Sequence, residues 1–144
     1  MSISEEILTE WEIIRLSNAF AYFMDHGDFE SMIALFTPDA VFDRAGHIHH
    51  GHEELRQGMR ERPKMTTRHL LTNFHFRAIG KGSAEAIVTA MAYHGPLSDD
   101  GGPVVYATDN GRVIEFHDTY TKTPEGWRIS SRIARPIFTP KVWP

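Results

Sequence analysis

The hydrophobic pattern at the start of the chain predicts an amphipathic helix. Residues spaced three or four apart would share one side of it: Ile7, Trp11, Ile14, Asn18, Ala21, Tyr22 and Asp25. Ser4 is a suitable N-cap, and Glu5 and Glu6 suit the positive end of the helix dipole. Gly27 predicts the end of this helix, because glycine readily adopts the conformation that closes a last turn.

Two shorter helices and a short strand are predicted next. Asp28 is expected to cap a helix over residues 29–36, which ends before Pro38. A strand follows over residues 40–43, then a loop over residues 44–50. A third helix is expected near residues 53–61, and Pro63 marks its end.

The rest of the chain has the alternation typical of strands. Predicted strands cover residues 68–79, 84–94, 104–107, 112–122 and 127–135. Turn-forming residues at 80–82, 98–102 and 124–126 predict hairpins, and therefore a mostly antiparallel sheet. Three helices in the N-terminal half are too few to cover both faces. We therefore expect an α+β fold in which they close over one face of a curved, cone-like sheet.

Composition narrows the class of protein. The length of 144 residues predicts a single domain, 1–144. The net charge is −4 and the Lys and Arg residues are scattered, so the sequence gives no reason to expect binding to nucleic acid or to an anionic membrane. The chain has no cysteine, and no apolar run approaches the length of a membrane span. We expect a soluble, cytoplasmic protein.

Asp25 is the most informative polar residue. If the stripe faces the sheet, its carboxylate is buried and needs a partner, since an unpaired buried charge is costly. Alternatively it is a solvated acid of the last turn, although the negative end of a helix dipole disfavours a carboxylate. His69 is a candidate partner, on a strand face shared with Asn73. Periodicity does not decide whether that face lines a cavity or meets solvent.

Several segments resemble the nuclear transport factor 2-like superfamily. Residues 28–43 resemble its opening, and residues 51–56 and 126–129, with Arg132, resemble later landmarks of its SnoaL-like branch. The resemblance spans roughly residues 5–135 and implies a cystatin-like fold. It implies no single reaction, because the superfamily includes isomerases, dehydratases, cyclases, dioxygenase subunits and binding modules.

Two enzyme families of this superfamily are similar at Asp25 and His69. The run Asp-His-Gly-Asp-Phe at 25–29 resembles a corner of scytalone dehydratases, and His-Leu-Leu-Thr-Asn at 69–73 resembles a run in hexachlorocyclohexane dehydrochlorinases. The resemblance implies that His69 removes a proton from a substrate carbon while Asp25 orients the imidazole and stabilises the imidazolium. Tyrosines of the former are replaced by Met24 and Asp43, and a lysine of the latter by Phe20, so neither specific reaction is implied.

Six further residues are candidates for substrate binding: Tyr22, Asn73, Asp43, His94, Phe116 and Asp118. Tyr22 and Asn73 can hydrogen-bond a substrate oxygen. Asp43 lies one residue away from the position of the general-base aspartate in related steroid isomerases. The alternative is that Asp43 is a loop residue. Asp118 resembles a pocket acid of the family, or pairs structurally with Arg132. The alanine-rich strand face that ends at His94 makes room for a ligand or for a packed helix.

The run from residue 47 to 52 contains four imidazoles: His47, His49, His50 and His52. A His-x-His pair can chelate a metal in an extended segment. Because no Asp or Glu stands at a recognised ligand spacing, we expect a solvated loop at the pocket rim and no metal or cofactor.

Two functions follow as hypotheses. The first is a cofactor-free lyase, such as a dehydratase, or an isomerase, acting on a small hydrophobic, cyclic molecule through His69 and Asp25. The second is a non-catalytic ligand-binding or assembly module, such as one resembling the β-subunit of a ring-hydroxylating dioxygenase. A homo-oligomer, dimer or trimer, is expected, and Phe138 and Trp143 near the C-terminus are suited to an interface or a pocket cover.

Overall fold

The computed structural model describes residues 1–106 and 110–141. Its first helix, α1, spans Ile3–Asp25 and is capped by Ser2 rather than by Ser4. The Ser2 hydroxyl accepts a hydrogen bond from the Glu5 backbone N–H at 3.2 Å, and the Glu5 carboxylate accepts one from the Ser2 N–H at 2.6 Å. This reciprocal pair is a capping box, which needs serine three residues before glutamate. The Ser-x-x-Glu spacing therefore places the cap two residues earlier than predicted.

The face of α1 that packs against the sheet differs from the predicted stripe. Its buried residues are Thr9, Ile13, Leu16, Ser17, Phe20, Ala21 and Met24. Trp11 and Tyr22, both in the predicted stripe, are more than half exposed. Apolar residues lie on both sides of this helix, so spacing alone allows two stripes, and packing against the sheet selects the one that contains Phe20.

The two other helices are α2, Phe29–Ile33, and α3, Gly51–Glu61. The Asp28 carboxylate caps α2, as predicted, by accepting from the Ser31 N–H at 3.2 Å. The helix ends before Phe36 because the chain there becomes extended and pairs with a later strand. Gly51 begins α3 with φ of +72°, a conformation that favours glycine.

Six strands form one sheet in the order β2-β1-β6-β5-β4-β3. They are β1, Phe36–Arg44; β2, His47–His50; β3, Thr66–Ile79; β4, Ser83–Gly95; β5, Arg112–Thr123; and β6, Gly126–Phe138. Strand β1 runs parallel to β6, and all the other neighbours are antiparallel. The mixed, mostly antiparallel sheet with helices from the N-terminal half confirms the predicted α+β fold.

Two segments differ from the sequence prediction. The predicted loop 44–50 contains strand β2, which pairs with β1 across a turn at Ala45 and Gly46, both with positive φ. Short, polar, histidine-rich strands lack the alternation by which strands are recognised. In the predicted strand 104–107, residues 104–106 are not in a strand, and Ala107 lies outside the described residues.

The core lies between the helices and the face of the sheet that they cover. The alanines of β4 share this face with Val88 and are almost fully buried, so small side chains admit the helices above them. The ring of Phe20 makes edge-to-face contacts with Phe36, Phe42 and Phe116, with centroids 5.6 to 6.1 Å apart. This aromatic cluster forms the floor of the site described next. In the described part of the chain, no helix combines the length and apolar character needed to cross a bilayer.

Candidate active site

Asp25 and His69 are hydrogen-bonded to each other. Asp25 is the last residue of α1 and His69 lies near the start of β3, and Asp25 Oδ1 is 2.5 Å from His69 Nδ1. The Asp25 side chain is 5% exposed and that of His69 is 12% exposed. The carboxylate is therefore almost fully shielded from solvent, while the imidazole keeps a small exposed area.

The Asp25 carboxylate is held by three donors. Its Oδ1 also accepts from the Thr67 hydroxyl at 2.9 Å, and its Oδ2 accepts from the His69 backbone N–H at 2.8 Å. A carboxylate held in this way accepts a proton-bearing Nδ1, which leaves a lone pair on Nε2 of the neutral imidazole. Asp25 thus sets the tautomer in which Nε2 can act as a base.

His69 lines a cavity of about 590 Å³ between α1, α3 and the sheet. This size is typical of small-molecule sites. Apolar side chains form much of the wall: Phe20, Met24, Phe42, Met65, Ile114 and Phe116. Polar side chains enter from β1, β2 and the segment after α3, among them Arg44, His49 and Arg62. The cavity, hereafter the His69 cavity, therefore combines an apolar floor with a polar wall.

A second recess, the outer groove, has about 560 Å³ and shares Met24, Arg62 and Met65 with the His69 cavity. It runs past the exposed ion pair between Arg56 and Glu30, which join at 2.6 Å. His69 does not line it. We assign the candidate chemistry to the His69 cavity because His69 lines this cavity and does not line the outer groove.

Basic groups predominate in the His69 cavity. Burial lowers the pKa of Arg44 to about 10, and the nearby charge of Arg62 contributes to this lowering. Burial also lowers the pKa of Arg62, an effect that Asp25 opposes, and it lowers the pKa of Arg112. Arginine has so high an intrinsic pKa that these groups remain cationic near neutral pH. Arg44 and Arg62 thus bring positive charge to the wall of this cavity.

Most residues predicted to bind substrate lie elsewhere. Phe116 lines the His69 cavity. Tyr22 is 59% exposed and stacks on His26 with centroids 4.1 Å apart, because it lies on the outer side of α1. Asn73 is exposed at an irregularity of β3 with φ of +51°. Asp43 accepts from the Gly46 N–H at 2.6 Å and so stabilises the β1–β2 turn.

Asp118 does not line the His69 cavity and instead forms a buried ion pair with Arg132. Its carboxylate accepts from Arg132 Nε at 2.9 Å, from Arg132 Nη2 at 2.7 Å and from the Tyr120 hydroxyl at 2.5 Å. Arg132 is fully buried, and its guanidinium carbon lies 4.5 Å from the ring centroid of Phe20 and 4.4 Å from that of Phe116. Burial opposes its charge, but Asp118 outweighs this effect and raises the pKa of Arg132. The pair supports the aromatic floor from below.

His94 lies at the end of β4 outside the His69 cavity, where its backbone N–H donates to the Asn110 side chain at 2.9 Å. The four imidazoles between 47 and 52 have separate environments, since His49 enters the cavity while His52 lies 2.9 Å from the Phe36 carbonyl oxygen. Within residues 1–106 and 110–141, no group of three or more His, Asp or Glu side chains is placed to hold a metal ion.

Three polar residues that line the His69 cavity were not among the predicted site residues: Arg44, Arg62 and Thr67. One usable signal was the period of two along a strand. Arg44 is two residues after the buried Phe42 on β1, and Thr67 is two residues before His69 on β3. Both therefore face the side of the sheet that the helices cover.

This architecture, a curved sheet with helices closing a cavity over one face, defines the nuclear transport factor 2-like class. A model of the SnoaL-like domain matches residues 5–133, so the chain belongs to the SnoaL-like domain family. An uncharacterized protein of Mycobacterium tuberculosis, Rv2910c, is 27% identical over 141 residues, covering 92% of this chain and 88% of the relative.

Solved structures share the fold at low sequence identity. A protein provisionally assigned as a scytalone dehydratase, from Novosphingobium aromaticivorans, has a TM-score of 0.81 at 16% identity, covering 99% of this chain and 94% of its own. A type 2 hexachlorocyclohexane dehydrochlorinase has a TM-score of 0.76 at 15% identity, with coverages of 98% and 94%. A cystatin-like protein from Nostoc punctiforme has a TM-score of 0.77 at 20% identity, with coverages of 94% and 96%. At these identities the likeness concerns the fold.

Proposed function

We propose that the protein is an enzyme that abstracts a proton from a carbon of a small hydrophobic, cyclic substrate, leading to elimination or isomerisation. The observation that carries this proposal is the 2.5 Å contact between Asp25 and His69 Nδ1 inside the His69 cavity. With Nδ1 occupied, Nε2 is the nitrogen that receives the proton. Imidazole performs this step without a cofactor.

The environment of His69 supports the same role. As His69 gains a proton, Asp25 supplies the opposite charge at hydrogen-bond distance and without reorganisation, because Thr67 and the backbone of His69 already hold the carboxylate. The apolar floor excludes water from the substrate carbon, which strengthens each charge interaction. A chain that served only as a structural subunit would need neither feature.

Hydrogen–deuterium exchange tests the proton abstraction directly, because the measurement requires no identified product. A panel of small cyclic ketones and β-hydroxy ketones is incubated with the protein in D₂O. Deuterium incorporation next to the carbonyl is followed by NMR, and conjugated products are followed by ultraviolet absorbance. We expect exchange or elimination with the wild type and its loss in His69→Ala.

The matched control is His75→Ala, which removes an exposed imidazole from the same strand. It should retain wild-type exchange. Equal rates in the wild type and in a folded His69→Ala variant would contradict the proposal. Binding of panel members without any exchange or elimination would favour the non-catalytic binding module instead.

A further inference from the structure

Two cationic groups of the His69 cavity, Arg44 and Arg62, meet few counter-charges. Arg44 enters from the end of β1 and Arg62 from the residue after α3, and their charges are close enough to lower the pKa of Arg44. Among the described residues that line this cavity, Glu61 is the one acidic residue, and it is exposed to solvent. Asp25 approaches from behind His69 and is already held by three donors.

The guanidinium groups of Arg44 and Arg62 also have little hydrogen bonding. In the described part of the chain, no hydrogen bond or ion pair engages the Arg44 side chain, and Arg62 has a single long contact of 3.5 Å to the Thr67 hydroxyl. A partly buried guanidinium without an acceptor is unfavourable, because it has lost water without a replacement. Such a group is satisfied when a ligand brings acceptor oxygens.

His49 adds a third group to this wall. Its Nε2 is buried without a hydrogen-bond partner in the described structure, and the ring packs tightly over Gly58 of α3. Burial, reinforced by the charge of Arg44, lowers the pKa of His49, so the ring is neutral at neutral pH. A neutral imidazole can donate to a ligand oxygen without adding charge.

We propose that the His69 cavity binds small apolar acids, with the ligand carboxylate on Arg44, charge support from Arg62 and a hydrogen bond from His49. The apolar body of the ligand lies on the aromatic floor of Phe20 and Phe116. The planar fork of a guanidinium matches the two oxygens of a carboxylate, which favours this anion. This inference rests on the proposed function, because both use the same cavity, and it extends that function by naming the substrate class.

Calorimetric titration with matched acids and amides tests this inference. The probes are benzoate, cyclohexanecarboxylate and trans-cinnamate, each compared with its primary amide at pH 7 and low salt. The charge-assisted contact should make at least one acid bind about tenfold or more tightly than its amide. Arg44→Met should reduce this preference to about twofold or less, because the acid loses its charge-assisted contact. Arg77→Met, at an exposed arginine of β3, is the matched control and should keep the preference.

The titrations separate this inference from the proposed catalysis. His69→Ala should keep the preference for acids even though it loses exchange activity. Equal affinity for acids and amides, failure of all three acids to bind at roughly 10 mM, or an unchanged preference in Arg44→Met would overturn the inference. A preserved acid preference in a wild type that never exchanges protons would support it while contradicting the catalytic proposal.

Discussion

Replacing Asp118 by asparagine removes the carboxylate that neutralises Arg132 beneath the site. Asp118 is 4% exposed and Arg132 is fully buried, so water cannot replace the lost charge. Asparagine keeps the shape and one acceptor oxygen. Its amide N–H₂ group, however, must face Arg132 in either orientation, because each carboxylate oxygen now accepts a hydrogen bond from that guanidinium and Oδ2 also accepts one from the Tyr120 hydroxyl.

The expected loss in the free energy of unfolding is large. Leaving one partner of a buried ion pair uncompensated costs about 3–5 kcal/mol, and domains of this kind are stable by about 5–15 kcal/mol in total. For a chain of this length the melting temperature should fall by roughly 10 °C. Because the Arg132 guanidinium contacts the rings of both Phe20 and Phe116, we also expect the packing of the cavity floor to become less ordered.

Urea unfolding followed by circular dichroism measures this loss. Glu115→Gln is the matched control, since it removes an acid from the same strand that pairs with His117 at 3.2 Å in partial contact with water. Such pairs contribute about 0–1 kcal/mol. A loss below about 1 kcal/mol in Asp118→Asn, equal to that of the control, would refute the view that Arg132 depends on this carboxylate.

The remaining predictions concern the site. If His69 is the base, Asp25→Asn should lower the exchange rate strongly, because the imidazolium would lose the carboxylate that accepts from its Nδ1; an unchanged rate would contradict this assignment. Gly58→Ala should lower the free energy of unfolding, measured by chemical denaturation, by about 1–3 kcal/mol, because the new Cβ would meet the ring of His49. Gly82→Ala, where no atom lies near the new Cβ, should lower it far less. Because the pKa of His49 is lowered in the folded protein, its imidazole binds a proton more readily in the unfolded chain. The free energy of unfolding should therefore fall as pH drops below about 6.5. His49→Gln should reduce that fall, and an identical pH dependence would show that other groups cause it.

The choice of face on α1 shows why sequence and structure disagree about the predicted binding residues. The predicted stripe contains both Tyr22 and Asp25, yet the Tyr22 side chain is exposed whereas that of Asp25 is buried. Asp25 reaches the sheet from the helix end because Thr67 and His69 on β3 supply donors there. A helical wheel cannot register such partners, since they come from a strand more than forty residues away.

Local patterns were sufficient to predict the fold class and the main strands and hairpins, because each depends on residues close together in the chain. The pairing of Asp25 with His69 was predicted from the resemblance of two short motifs to related enzymes. Packing of distant segments was needed to bring Arg44, Arg62 and His49 into one cavity with His69, and to pair Asp118 with Arg132. These outcomes depend on which strands become neighbours and on which charges lose contact with water. Local spacing carries no information about either, since both arise only when the helices close over the sheet.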